Sequence, residues 1–294
     1  MLQLDSINRW FSDRHVLKDV SFTVGGGRMT GFVGGNGAGK TTTMRVILGV
    51  LSADSGTVTL GGSALTAEQR SHFGYMPEER GLYPKMRVLE QIVYLGRLHG
   101  MSPAQATESA DTLLDRLGLG ERKADTVESL SLGNQQRAQI AAALVHDPDV
   151  LVLDEPFSGL DPIAVEAVMS VLKDYTARGV PVLFSSHQLD IIERLCDDLV
   201  VIAEGEIRAS GSREGLRTEH SRDRYELQLD GEVGWLRSEP GVTVLEFAGG
   251  FALFDADSPD TAQRVLRRAM DTAPVQRFSP QRPSLSQIFQ EVIR

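Results

Sequence analysis

Short apolar runs alternate with stretches of helical spacing from the start of the chain to about residue 215. VLKDVSFTV (16–24) alternates with a period of two, the pattern of a half-buried strand, and the Gly25-Gly26-Gly27 turn ends it. MTGFV (29–33) predicts a short apolar strand, TTTMRVILGV (41–50) a helix, and SGTVTLGG (55–62) a strand and a turn. Ser102-Pro103 is an N-cap followed by proline at the first helical position, which predicts a helix to about Leu117. DVLVLDE (149–155) and VPVLFSS (180–186) are unbroken apolar runs that end in polar residues. Strands without alternation are buried on both faces, as in a parallel sheet covered by helices. Ligands of such sheets gather beyond the C-terminal ends of the strands.

From about Asp223 the texture changes. RYELQLD, VTVLEF and FALFDAD alternate like antiparallel strands, SPDTAQRVLRRAM has the spacing of an amphipathic helix, and SLSQIFQEVI closes the chain as a further apolar stretch. Two strand–helix–strand units would make a small α+β module. The polar stretch GSREGLRTEHSRD holds the expected boundary, giving a first domain over 1–217 and a second over 220–294. No internal repeat or low-complexity tract is present.

Composition narrows the function classes. At 294 residues the chain is long enough for more than one domain, and 41% hydrophobic with 24% charged residues is ordinary for a globular protein. A formal net charge of −10 argues against nucleic acid as the main partner. Cys196 is the sole cysteine, so no intrachain disulfide forms and a reducing compartment is expected. It follows the apolar helical stretch LDIIERL, which predicts a packing role. MLQLDSINRW lacks the basic and apolar regions of a signal peptide, and no apolar run approaches the ~20 residues needed to span a bilayer. Work at a membrane would need another chain to cross it.

The clearest chemistry is Gly34-Gly35-Asn36-Gly37-Ala38-Gly39-Lys40-Thr41, a phosphate-binding loop pattern between a strand and a helix. Glycines let backbone N–H groups wrap the phosphates, Lys40 adds a point charge for the β- and γ-phosphates, and the Thr41 hydroxyl can ligate Mg²⁺. Asp154 and Glu155 end the buried run VLVLDE. A carboxylate suits Mg²⁺, which prefers oxygen ligands, and Glu155 is placed one residue further on to accept a proton from water. His187 ends VLFSS as a strand-end polar residue, and Phe11 is either a core aromatic or a surface on which an adenine could stack. LSLGNQQR (130–137) runs from a polar loop into a helix expected to begin near Asn134. Ser131 and Gly133 would then lie among free backbone N–H groups, a second anion site.

In that order these pieces resemble the ATP-binding cassette (ABC) ATPases across roughly residues 1–217. GGNGAGKTT, with Gly34, Asn36, Gly37, Ala38, Gly39, Lys40, Thr41 and Thr42, looks like Walker A. LSLGNQQ looks like the signature motif, VLVLDEP like Walker B, FSGLD (157–161) like the D-loop, and His187 like the switch histidine. Phe11 falls at the adenine-stacking position. The resemblance implies a P-loop α/β core with a helical subdomain at about 85–145. It also implies ATP and Mg²⁺ as cofactors, Gln135 and Asp161 among the nucleotide-binding residues, and Ser131 and Gly133 at a nucleotide held by a second copy of the chain or a paralogous cassette. Glu155 would be the general base, with Lys40 and His187 stabilising charge, and Thr41, Asp154 and Glu78 would face the metal. Four positions depart from the family pattern: Gly35 for proline, Leu132 for glycine, Phe157 for threonine or serine, and Glu78 for the Q-loop glutamine. PEERGLYP and the C-terminal module look like a bacterial exporter subgroup that includes sodium-efflux and drug-resistance ATPases. A cytoplasmic subunit at the inner face of the membrane, driving a polytopic permease, is implied, with the C-terminal module in dimer contact or regulation.

Overall fold

The structure, a computed structural model, describes residues 1–79, 81–219, 223–281, 287–289 and 292. The chain divides into two compact units, Met1–Arg213 and Glu214–Val292, and the division falls within GSREGLRTEHSRD.

The first unit opens with β1 (Leu2–Phe11) and β2 (Arg14–Val24), an antiparallel pair that continues into β3 (Met29–Val33) and α1 (Lys40–Ile47). β1 escapes the period-two reading because its pairing slips between Leu4 and Ile7, where Ser6 has φ 50°. That bulge shifts the phase of the buried positions within one strand. β4 (Ser55–Leu60) and β5 (Ser63–Ala64) complete a sheet in the order β2-β1-β4-β5. α2 (Ala67–Ser71), β6 (Phe73–Met76), α3 (Val88–Leu98), α4 (Pro103–Arg116) and α5 (Leu132–Leu144) follow. α4 begins where the sequence predicts it. Ser102 Oγ accepts from Gln105 N at 3.3 Å, and Gln105 Oε1 accepts from Ser102 N at 3.1 Å. The reciprocal pair satisfies two donors that the first turn would otherwise leave bare.

β7 (Val150–Leu153), α6 (Pro162–Ala177), β8 (Val182–Ser186), α7 (Leu189–Leu195), β9 (Asp198–Ala203) and β10 (Glu206–Ser212) complete the unit. The second sheet runs β10-β9-β3-β8-β7-β6, with every pairing parallel except β10 on β9. β3, β7 and β8 are buried at every position, as unbroken apolar runs require. One apolar cluster joins Leu4, Ile7 and Phe22 of the first sheet with Met44 and Ile47 of α1 and Phe32, Leu183 and Val200 of the second. Cys196 is buried beside Gly31, where burial pushes its thiol well above the usual range. An inert packing role follows.

In the second unit, α8 (Arg213–Glu219) crosses the division and leads to β11 (Arg224–Leu229), β12 (Val242–Ala248), β13 (Phe251–Ala256), α9 (Pro259–Thr272) and β14 (Val275–Pro280). The sheet order is β12-β13-β11-β14, all antiparallel, which is a split βαβ arrangement. Its first crossover is only a short 3₁₀ helix, Gly234–Ser238, rather than the full helix that two equal units would require. Leu227, Leu229, Phe254, Val265 and Ala269 form its core. Most of SLSQIFQEVI lies outside the described residues.

Candidate nucleotide site

Strand register brings the candidate residues together. Val33 pairs with Ser186, Leu153 with Phe184 and Met76 with Leu153. The residues that leave these strands, Gly34, His187, Asp154 and Pro77, therefore emerge along one edge of the sheet. Asp154 and His187 border a cleft of about 800 Å³, within the range of ligand pockets, and Glu78 and the loop from Asn36 line it as well.

The loop before α1 is shaped by glycine. Gly37 (φ 74°) and Gly39 (φ 113°) adopt left-handed backbone conformations, and Gly39 caps α1 without a side-chain partner. The first N–H groups of α1 are thus left to an anion, and no acidic residue sits in that turn to compete. A Cβ on Gly34 would stand 2.4 Å from the Ile202 carbonyl oxygen, so the loop runs hard against β9. Ala38 is buried, and its carbonyl accepts from Gly205 N at 3.1 Å. Gly34 and Ala38 thus shape the loop, whereas Asn36, Gly37, Gly39, Lys40, Thr41 and Thr42 line the cleft. Lys40 Nζ donates to Gly34 O at 2.7 Å and Gly35 O at 3.2 Å, which holds its charge over the loop.

Across the cleft, Asp154 Oδ2 accepts from Thr41 Oγ1 at 2.8 Å, and Asp154 Oδ1 accepts from Ser185 Oγ. Ser185 Oγ in turn accepts from Glu155 N at 2.8 Å. Glu155 has φ 53°, a conformation unfavourable by roughly 1–2 kcal/mol for a residue with a Cβ. Such outliers cluster at functional sites. Its carboxylate is nearly buried, with Oε1 3.0 Å from Nδ1 of the largely exposed His187. Glu78, exposed on the loop after β6, lines the same cleft.

These groups suit a magnesium–phosphate ligand. Thr41 and Asp154 offer a hydroxyl and a carboxylate already in contact, and Mg²⁺ takes oxygen donors with the remainder from water and phosphate. Among the described residues, no cluster of three or more His, Cys, Asp or Glu is arranged to hold a metal alone.

Phe11 is not a core aromatic. It ends β1, is 45% exposed at the cleft, and its ring centroid lies 5.0 Å from the Arg9 guanidinium. Ser131, Gly133, Gln135 and Asp161 do not line this cleft. Ser131 is the N-cap of α5, two residues earlier than the pattern suggests, because its hydroxyl accepts from Asn134 N at 3.3 Å and lets the helix begin at Leu132. Gly133 lies against Gly159, where a Cβ would come 3.2 Å from the carbonyl oxygen. Asp161 caps α6 through Ala164 N at 2.8 Å. The Gln135 carboxamide donates to Val127 O and Leu130 O, both at 3.1 Å, so it braces the loop before α5.

Pattern reading missed Arg14 and Val16 on the cleft wall, Ser185 between the two acidic residues, and Gln136 and Gln139 on α5. The one available signal was buried glutamine on an otherwise apolar helix face, which demands a partner.

Residues 17–158 match the family described as ABC transporter, and residues 211–293 match the C-terminal domain of ATP-binding protein DrrA1-3-like. The ABC transporter ATP-binding protein YhaQ of Bacillus subtilis is 36% identical over 294 residues, covering 100% of this chain and 98% of its own. The Nod factor export ATP-binding protein I of Bradyrhizobium diazoefficiens is 33% identical over 294 residues, covering 98% and 94%. A solved structure of the ATP-binding subunit of an ABC transporter superposes with a TM-score of 0.69 at 31% identity, covering 74% of this chain and 92% of its own.

Proposed function

This chain belongs to the ABC transporter ATP-binding proteins, and from that premise we propose that it hydrolyses ATP as half of a head-to-tail pair of cassettes and drives a separate membrane-spanning exporter subunit. The observation that carries the reading is a division of labour in the first unit. Lys40, Thr41, Asp154, Glu155 and His187 converge on one cleft, while Ser131, Gly133 and Asp161, at the starts of α5 and α6, lie off it. A helix N-terminus away from the cleft suits the phosphates of a nucleotide on another chain, either a second copy or a paralogous cassette.

Each residue then has a task. Phe11 offers a ring face to the adenine, and the N–H groups from Asn36 to Thr42 surround the phosphates. Lys40 exchanges its bonds to Gly34 and Gly35 for phosphate oxygens. Thr41 and Asp154 would hold Mg²⁺, which would supply Lewis-acid stabilisation of the transferring phosphoryl group, and Glu78 lines the same cleft. Glu155 takes the proton of the attacking water, and His187, in contact with that carboxylate, orients it and faces the developing charge. Closure of the pair is favoured by ATP because the contacts of Ser131 and Gly133 exist only when the nucleotide is present.

Transport in the export direction is supported by the Nod factor export relative. Among the described residues, no helix is long and apolar enough to cross a membrane. In this reading a polytopic partner supplies the passage, and this chain sits at the inner face of the membrane. The second unit serves dimer contact or regulation in this reading. Affinity purification from detergent-solubilised native membranes, with companions identified by mass spectrometry, tests it. A stoichiometric polytopic companion is expected. Recovery only from the soluble fraction with ribosomal or DNA-repair proteins would overturn the transporter reading.

A further inference from the structure

Helix α5 is bonded to both acidic loops of its own cleft by two buried glutamines one turn apart. Gln136, 3% exposed, donates from Nε2 to Glu155 O at 2.8 Å. Gln139, 4% exposed, donates from Nε2 to Pro77 O at 2.7 Å and to Glu79 O at 3.1 Å. Residues at i and i+3 share a helix face, so both carboxamides leave α5 on the same side. The two carbonyls on either side of Glu78 are gathered onto one amide nitrogen, and this sets the direction in which the loop presents Glu78 to the cleft.

Gln139 is poorly explained as packing. Among the described residues, its Oε1 has no hydrogen-bond partner, and it is buried. A buried unpaired acceptor is unfavourable, and its neighbours Ala138, Ile140 and Ala141 bury apolar groups on the same helix without that cost. The two hydrogen bonds that Nε2 makes to the Glu78 loop offset that cost. The geometry points to Gln139 as a positioning residue that sets where Glu78 stands in the nucleotide cleft, acting with Gln136 at Glu155 so that α5 and both acidic loops move together. This rests on the ATPase reading above. Because Ser131 caps α5, a phosphate arriving at that end pulls on a helix tied to Glu155 and the Glu78 loop of the same chain. Each copy's signature end is thereby linked to its own cleft, and the two sites of a pair are linked to one another.

The test is steady-state ATPase activity of the full chain, titrated with ATP and with Mg²⁺. The chains compared are wild type, Gln139→Met, Gln139→Lys, Glu78→Ala, and the double variant Glu78→Ala with Gln139→Met. Methionine keeps the length without a donor, whereas lysine keeps a donor. A displacement of about an ångström at a reacting group costs on the order of 10² in rate, so Gln139→Met is expected to lower kcat by about tenfold or more. Its KM for ATP should change by less than about threefold, since uniform binding is untouched, while half-saturation by Mg²⁺ shifts. Gln139→Lys keeps a donor but places an ammonium at a 4% exposed position, so it should lose activity, though less than Gln139→Met. In the Glu78→Ala background, Gln139→Met should no longer shift the Mg²⁺ dependence, because residues that act through one another are not additive. An unchanged kcat and Mg²⁺ dependence in Gln139→Met would overturn the inference alone. So would the same Mg²⁺ shift in both backgrounds, or a loss in Gln139→Lys equal to that in Gln139→Met. A wild-type chain without ATPase activity would instead overturn the ATPase reading and this inference with it.

Discussion

Glu155 Oε1 lies 3.0 Å from Nδ1 of His187, although the two residues follow different strands of the sheet. Glu155 reaches that place on a left-handed backbone, held by Ser185 at its N–H and by Gln136 at its carbonyl. A side chain fixed at both ends of its own residue suits a proton acceptor that must not wander. Glu155→Gln keeps the shape and removes the basicity. It should bind ATP with near-normal affinity, hydrolyse it about 10²–10⁴ times more slowly, and accumulate as a closed pair. Single-turnover hydrolysis and gel filtration with ATP check this, and near-normal turnover would remove Glu155 from the role.

Gly34 and Gly35 are adjacent, but their surroundings differ. An added Cβ at Gly34 would meet the Ile202 carbonyl at 2.4 Å, whereas at Gly35 it meets nothing within 4 Å. Gly34→Ala should therefore displace the phosphate loop, costing about 1–3 kcal/mol of stability by overpacking. Its ATP affinity should fall with it. Gly35→Ala should leave both unchanged. Nucleotide titration and thermal unfolding of the two variants side by side make the comparison.

Phe157 occupies a position where the ABC pattern has threonine or serine. Here it is 2% exposed and packs edge-on against Phe184, with ring centroids 5.3 Å apart. Phe157→Ala should destabilise the first unit by about 3–5 kcal/mol, through lost burial and the cavity left behind. A lower midpoint of urea unfolding at an unchanged slope is the expected result.

His146 stacks on His99 with ring centroids 3.6 Å apart, and its Nε2 lies 3.2 Å from the Phe73 carbonyl oxygen. Its Nδ1 is buried and has no partner among the described residues. Burial, and then repulsion from His99, push its pKa down to about 4. The folded state thus refuses a proton that the unfolded chain accepts near pH 6.5, so stability is complete above that pH and is lost as pH falls from 6.5 towards 4. Allowing for partial exposure, the loss is of order 2 kcal/mol. Thermal unfolding across that range should show a weaker pH dependence in His146→Gln than in the wild type.

Much of this architecture is legible from residues adjacent in the chain. The strands MTGFV, VLVL and VLFSS, the Ser102-Pro103 helix start and the glycine loop before Lys40 depend on local burial pattern, capping and backbone freedom, and each lies where the pattern predicts. Asp154 and Glu155 could be placed at a strand end for the same reason. β1 could not be read, because the bulge at Ser6 breaks the alternation that marks a strand.

Tertiary structure alone decided which of these ends meet. Thr41 and Asp154 are 113 residues apart in the chain and Gln139 and Pro77 are 62 apart. Their hydrogen bonds follow from the register of parallel strands and the face of one helix, which no local pattern encodes. The same holds for the exposure of Phe11, for Ser185 between the two acidic residues, and for the placement of Ser131 away from the cleft. Local propensity set which side chains stand at the ends of elements. Long-range packing set which of those ends share a site, because a hydrogen bond of 2.8 Å tolerates no slip in register.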